Sequence, residues 1–461
     1  MESIQKDLKE VPSLPPNCSI FRVPTPLRKV KPEAYTPRMV SIGPFHRSEK
    51  HLQPMEAQKL RYLNDFLGRE CQVATLIDYV KAMTGLENRT RRCYAEIIQF
   101  KSEFEFVKMM LIDGCFILEL ILRTNLQKNE PRHLDDPILN ATWMSYIIKC
   151  DLILLENQIP FFVLEHLYDL FTGNSYSNGL GPFTSIARLF FQDFVPQPQT
   201  INPKSSRFRR IFEVAKNVSD FVSVTRRLGK KEVGVDIDTP LLNSVEEPEE
   251  NSQAKHLLDF VRDLLLQSSS RRPQNPGEFK HTLTATELNE ASIKFEKGPK
   301  TCLLDITFSN GVMKIPTMKI EDWTEPLLRN LIAFEQSRDS YDNYITAYAA
   351  FIDGLIDSPK DVELLQKKGI IEILLGDPKD VVELFNSLLK EVSPTVIDGN
   401  FYFSGVCHEV EKYYKIPVHK WKASLMLNYC NSPWAFISVL AAVFLLILTI
   451  IQTICSLLLL T

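Results

Sequence analysis

From Pro54 to about Leu170, apolar residues return every three or four positions: Leu60, Leu63 and Leu67, then Leu76, Tyr79, Val80 and Met83. Such spacing keeps one face of an α-helix apolar, so the stretch predicts an N-terminal helical bundle. Two denser runs follow, Phe106–Leu122 and Ile147–Leu167. Lys108, Asp113 and Glu119 interrupt the first, and Lys149, Asp151 and Glu156 the second. Each charge costs about 2.5 to 3.5 kcal/mol at the centre of a bilayer, which outweighs the gain from the leucines. Both runs are therefore expected as buried core helices, innermost in the bundle. Pro160 should kink or restart the second, because it has no N–H for the helical ladder. Carboxylates in such helices need partners, and Lys108, Lys149, Asn157 and Gln158 are expected to supply them and fix helix registry.

The texture then changes. Gly173–Pro182 and Pro196–Ser206 are rich in turn formers and predict loops. Lys204–Lys231 holds nine basic residues against Glu213 and Asp220, and Glu232–Glu250 holds seven acidic residues and no basic one. This weakly apolar stretch places a mobile insertion at about 196–280. Thr284 and Glu287 fit a capping box. Past it, Ile293–Lys297 alternates as strands do, and Leu303–Phe308 and Val312–Ile315 flank Ser309-Asn310-Gly311, a strong hairpin signal. Met318 and Ile320 extend this into a small antiparallel element at about 293–320. Helices resume at Glu325, with near-identical start signals at Ser358-Pro359-Lys360-Asp361 and Asp377-Pro378-Lys379-Asp380.

Ala423–Thr461 carries no formal charge, and Trp434–Leu460 is a nearly continuous apolar run. At about 1.5 Å of rise per residue, two dozen helical residues cover a hydrocarbon core of about 30 Å. A single membrane-spanning anchor is expected at 433–460, with Trp434, Phe436, Leu440, Phe444, Leu448 and Ile451 toward lipid. Lys412, Lys415, Lys420 and Lys422 precede it and nothing basic follows, which places the body on the cytosolic side, with the plasma membrane as the expected site. Ser438 and Ala442 make one small-xxx-small step. The fold class expected is mainly α: a large helical bundle with a small antiparallel hairpin or meander and one C-terminal transmembrane helix. The domain plan is a disordered tail at 1–17, a helical domain at 18–432 and the anchor.

Composition narrows the function. With 461 residues, 44% of them hydrophobic, the chain can build a large core. A net charge of −4 offers no field for nucleic acid. The first sixteen residues lack the apolar core of a signal peptide, and nine cysteines without a C-x-x-C pair fit reduced thiols. No phosphate loop, dinucleotide fingerprint, nucleophile elbow or H-E-x-x-H occurs. Glu130–His133 and Glu278–His281 have metal-ligand spacing but sit beside proline or glycine, in expected loops. No catalytic residue, metal or cofactor is assigned.

Several phrases occur together: Val40-Ser41-Ile42-Gly43-Pro44-Phe45-His46, Met110-Leu111-Ile112-Asp113-Gly114-Cys115-Phe116, Leu155-Glu156-Asn157-Gln158-Ile159-Pro160-Phe161-Phe162, Leu283-Thr284-Ala285-Thr286-Glu287-Leu288, Arg329-Asn330-Leu331-Ile332-Ala333-Phe334-Glu335-Gln336 and Asn431-Ser432-Pro433-Trp434. With them the chain resembles the plant family of domain of unknown function 247, from about Cys18 onward. The resemblance implies a C-terminally anchored membrane protein with no established enzymatic activity, and favours recognition or signalling. The expectation is a non-enzymatic protein that meets lipid through its C-terminal helix and protein partners through its body. The alternative is a membrane-tethered hydrolase with an unfamiliar site around Asp113, Asp151 and Glu156.

Overall fold

The computed structural model describes residues 18–69, 72–96, 98–100, 102–126, 136–173, 181–195, 254–266, 283–299, 302–337, 343–374, 376–393, 401–416 and 433–460. They fall into two compact units, one drawn from 1–268 and 322–342, the other from 269–321 and 343–461.

In the first unit, α1 (Thr25–Val30) leads to α2 (Pro54–Leu67), α3 (Leu76–Arg91) and the long α4 (Glu103–Leu126). Next come α5 (Pro137–Asn140), α6 (Thr142–Asp151), α7 (Phe161–Thr172), α8 (Phe183–Phe190) and α9 (Leu257–Leu266). The chain passes α10 (Ala285–Glu290), which belongs to the second unit, before returning to the first with α11 (Thr324–Gln336). Helix α4 is the axis, with α2, α3, α7 and α8 packed against it. Gly114 permits the approach of α7: a Cβ there would stand 2.4 Å from a methyl of Leu167. Full burial of an aliphatic or Phe side chain contributes about 1.5–3 kcal/mol, so the run of buried residues on α4 is a major source of stability.

The first dense run is the buried core helix expected. The second is not one helix: α6 stops at Asp151, residues 152–160 are buried and irregular, and a new helix starts behind Pro160. The buried face of α2 also differs from the leucine stripe, being Met55, Lys59, Tyr62 and Phe66, while Leu60 is half exposed. The expected insertion at about 196–280 lies mostly outside the described residues, but it includes α9, whose Leu257, Leu258, Phe260 and Val261 are core. The expected tail 1–17 and both Glu-x-x-His pairs lie outside the described residues.

In the second unit, β1 (Lys294–Lys297), β2 (Thr307–Ser309) and β3 (Val312–Ile315) form a sheet in the order β1-β3-β2. The hairpin is present: Phe308 faces Met313 across antiparallel β2 and β3, and Asn310 and Gly311 both take positive φ, as its tight turn demands. Two expectations are corrected. Strand β1 runs parallel to β3, and β4 (Met318–Ile320) leaves this sheet to pair in parallel with β5 (Ile371–Ile373). Pro316 explains the departure, since it has no N–H and breaks the ladder between β3 and β4. The sheets are therefore mixed, not an antiparallel meander.

Helices α12 (Tyr344–Leu355), α13 (Pro359–Lys367), α14 (Pro378–Leu388), α15 (Ser404–Tyr414) and α16 (Pro433–Leu460) complete the chain. Thr284 forms the capping box read from the sequence, and the start signals at Ser358 and Asp377 also close as capping boxes. Helix α16 spans 28 residues, and its side chains are described without a gap over 441–455. Among the described residues, no helix is long and apolar enough to cross a membrane.

Candidate functional site: the buried carboxylates

The irregular segment 152–160 is buried throughout, so each of its backbone polar groups needs a partner other than water. Side chains supply several. Gln158 donates from Nε2 to the carbonyls of Leu152 and Leu154, both at 2.8 Å, and its Oε1 accepts from the amide of Leu258 at 3.2 Å. Tyr94 donates its hydroxyl to the Gln158 carbonyl at 3.0 Å. Asn330 on α11 accepts from the Leu155 amide at 2.8 Å and donates to the Ala34 carbonyl at 2.7 Å.

Asp151, Asn157, Asp113 and Glu156 use the same segment to hold the chain before α2. Asp151 accepts from three successive amides, Arg38, Met39 and Val40, at 2.7 to 3.0 Å. Asn157 accepts from the Ile42 amide and donates to the carbonyls of Val40 and Asp151. Asp113 accepts from the Gly43 amide at 2.9 Å and from Lys59 at 2.7 Å; the same ammonium meets Glu56 and the Ser41 carbonyl. Gly43 has a φ of +72°, and a Cβ there would stand 2.5 Å from the Gln158 carbonyl oxygen, so only glycine fits. Glu156 accepts from the Val23 amide at 2.6 Å and pairs with Arg28 at 2.5 Å. The ring of His46 lies between carboxylates, with Nε2 3.2 Å from Glu156 and Nδ1 against Glu49.

Asp113, Asp151 and Glu156 are 0, 1 and 2% exposed, and each oxygen of all three is engaged. Burial raises the carboxyls of Asp113 and Asp151, against Lys59 in one case and three amides in the other. Burial also opposes ionisation of Glu156, yet His46, Arg28 and the Val23 amide outweigh it and bring this carboxyl below the ordinary range. A general acid or base must reach a substrate proton. Each of their oxygens accepts at least one bond from the frame and the three groups are at most 2% exposed, so the arrangement fixes chain geometry.

A second buried network serves the same end. Arg123 joins Glu119, Asp136 and Asp65, Arg69 closes on Glu119, and Tyr62 donates to Asp136. Of the partners expected from sequence, Asn157 and Gln158 take part. Lys108 is exposed, and Lys149 pairs with Asp193 instead. Lys59, Arg28, His46 and Asn330 were missed. Lys59 had a signal, a cation in the 3-4 spacing Met55, Lys59, Tyr62, Phe66; His46 and Asn330 sat in the phrases that carry the family resemblance, and Arg28 had none. Of the anchor residues, Phe444, Leu448 and Ile451 are exposed, while the side chains of Trp434, Phe436 and Leu440 lie outside the described set. Among the described residues, no group of three or more His, Cys, Asp or Glu could hold a metal ion, and the seven cysteines are free thiols.

Comparison with known proteins places these features in a group. The model of the family DUF247, described as plant protein of unknown function, matches residues 20–448. The chain is 30% identical over 467 residues to the UPF0481 protein At3g47200 of Arabidopsis thaliana, covering 95% of this chain and 86% of that one. It is 25% identical over 505 residues to the putative UPF0481 protein At3g02645 of the same plant, covering 97% and 91%. No solved structure matches.

Proposed function

The chain belongs to the DUF247 family of plant proteins, and on that footing we propose that it is a non-enzymatic protein, held at a membrane by α16, whose body engages protein partners in recognition or signalling. The observation that carries this is α16 itself: 28 helical residues without a charge, whose Val443, Phe444, Ile447, Ile450 and Ile454 are all about half exposed or more. Leaving such side chains in water forgoes about 1.5–3 kcal/mol each, and a lipid environment removes that cost. The four lysines at 412, 415, 420 and 422 favour a cytosolic body. At about 1.5 Å per residue the helix is long enough to span either an endoplasmic-reticulum or a plasma-membrane core with some tilt, and the plasma membrane is the site proposed. The engagement of Asp113, Asp151 and Glu156 with the frame supports a body that binds rather than cleaves.

The test is extraction of plant membranes at alkaline pH. Full-length protein should stay with the lipid pellet and a version ending at Lys422 should be released; intact protein in the soluble fraction would overturn the anchor. Proximity labelling from the same two forms then reports neighbours, and an identical set from both would remove the membrane from the account.

A further inference from the structure

The N-terminal segment of the first unit is laid against the turn that ends α3 as a short parallel bridge, with Ile20 opposite Tyr94. The Cys93 carbonyl accepts from the amides of Ser19 and Ile20 at 3.0 and 2.9 Å, and the Ala95 amide donates to the Ile20 carbonyl at 3.0 Å. This pairing sets two cysteines side by side. The Cys18 thiol donates to the Cys93 carbonyl at 3.5 Å, while the Cys93 thiol donates to the Arg89 carbonyl at 3.4 Å. Positions 18 and 93 stand one step out of register across the bridge, and a strand spacing of about 4.8 Å with a rise of about 3.3 Å puts their Cα atoms about 6 Å apart. Disulfides span about 4.4–6.8 Å between Cα atoms.

Access and position set this pair apart from the other described cysteines. Cys18 and Cys93 are half-buried, whereas Cys115, Cys150, Cys302 and Cys407 are buried and Cys455 lies on α16, in the second unit. The strap that follows Cys18 carries Arg22, which pairs with Glu96 at 3.0 Å, and Val23, whose amide donates to Glu156. A bond at Cys18 therefore fixes one end of the strap that reaches the buried Glu156. Burial raises both thiols, Cys93 to about 11, with Arg89 and Lys255 pulling Cys93 back. Thiolates are scarce at neutral pH, so closure is slow and belongs to sustained oxidation, not to rapid peroxide sensing.

We infer that Cys18 and Cys93 form a reversible disulfide clasp that fastens residues 18–23 to the end of α3 when the surroundings turn oxidising. The reaction partner is a low-molecular-weight disulfide of the glutathione kind. One cysteine thiolate attacks a sulfur of that disulfide and expels a small thiolate. The second cysteine thiolate then attacks the protein sulfur of the mixed disulfide and expels the other. Two protein thiols become one disulfide, the small disulfide becomes two thiols, and the leaving thiolates take up the two protons that the cysteines release. Cys93 must first turn about its Cα–Cβ bond, away from the Arg89 carbonyl. The closed loop spans 75 positions, a constraint on the unfolded chain large enough to raise the melting temperature of the first unit by about 5 °C or more. The clasp is independent of how α16 is housed.

The test uses the full chain in detergent, equilibrated in glutathione buffers of increasing oxidised fraction, quenched with acid, alkylated, and mapped by mass spectrometry without reduction. A peptide joining Cys18 to Cys93 should appear, two hydrogens lighter than its separate halves, and the oxidised chain should melt about 5 °C or more above the reduced one. Dithiothreitol should reverse both changes. Cys18→Ser and Cys93→Ser should each remove the linked peptide and the rise in melting temperature, whereas Cys455→Ser should keep them. Thiols at 18 and 93 that stay open to alkylation, or that end as mixed disulfides with glutathione, overturn the clasp. A linked pair that leaves melting unchanged overturns it as well, since the bond would then fasten nothing.

Discussion

Asp151 accepts three amide hydrogens with two oxygens and lies 1% exposed. Asparagine in its place keeps the volume but turns an NH2 toward at least one N–H, and each stranded buried donor costs about 1–3 kcal/mol. Asp151→Asn should therefore lower the unfolding free energy by about 2–4 kcal/mol in urea titrations. An unchanged midpoint would show that these bonds carry no stability. Glu156 makes a prediction about acid. Its carboxyl is held below the ordinary range in the folded state, so its contribution is present above the unfolded value of about 4.3 and is lost as pH falls through the folded one. Below about pH 4.3 the native protein should lose stability more steeply than Glu156→Gln, and parallel pH profiles would contradict the assignment. Asp113 and Asp151 act with the opposite sign, since burial raises them: their contribution is fullest below the ordinary carboxyl range and declines as pH rises through their elevated values.

Individual elements show the value of a shared cap. Asp361 closes the box at the start of α13, accepting from the amide and hydroxyl of Ser358, and its other oxygen accepts from the Thr286 amide in the first turn of α10 at 2.8 Å. Asp380 occupies the equivalent place on α14 and, among the described residues, serves its own helix start. Asp361→Ala should cost about 1–3 kcal/mol and Asp380→Ala about 1 kcal/mol; equal losses would mean that the tie to α10 is energetically idle. Sequence made these starts legible because a capping box is complete within four residues. The hairpin at Asn310-Gly311 was legible for the same reason. Strand β5 was not, because its partner β4 lies about fifty residues away and alternation over three residues names a face without naming a neighbour. Residues 152–160 misled in a third way: apolar density reports burial, while the bonds that replace the helical ladder come from Gln158, Tyr94 and Asn330. The cost of Asp113, Asp151 and Glu156 was visible in the chain, but their partners include backbone amides between 23 and 43, which carry no sequence mark.

For the molecule as a whole, the exposure of α16 implies that the body owes it little. A version ending at residue 432 should melt within about 2 °C of the full chain in detergent, where about 1 kcal/mol corresponds to 2–4 °C for a unit of this size. A fall of more than about 5 °C by calorimetry would place the helix inside the packed body. Asn330 has another consequence, one of timing. Its amide ties Ala34 and Leu155, which lie 296 and 175 positions earlier, and closing such wide loops carries an entropy that local contacts cannot offset. A ribosome adding about 5–20 residues each second needs tens of seconds to travel from Ala34 to Asn330, and it makes residues 269–321 of the second unit on the way. Through that interval the nascent first unit lacks the helix that carries Asn330, so the Ala34 carbonyl and the Leu155 amide wait for this partner until α11 emerges from the exit tunnel.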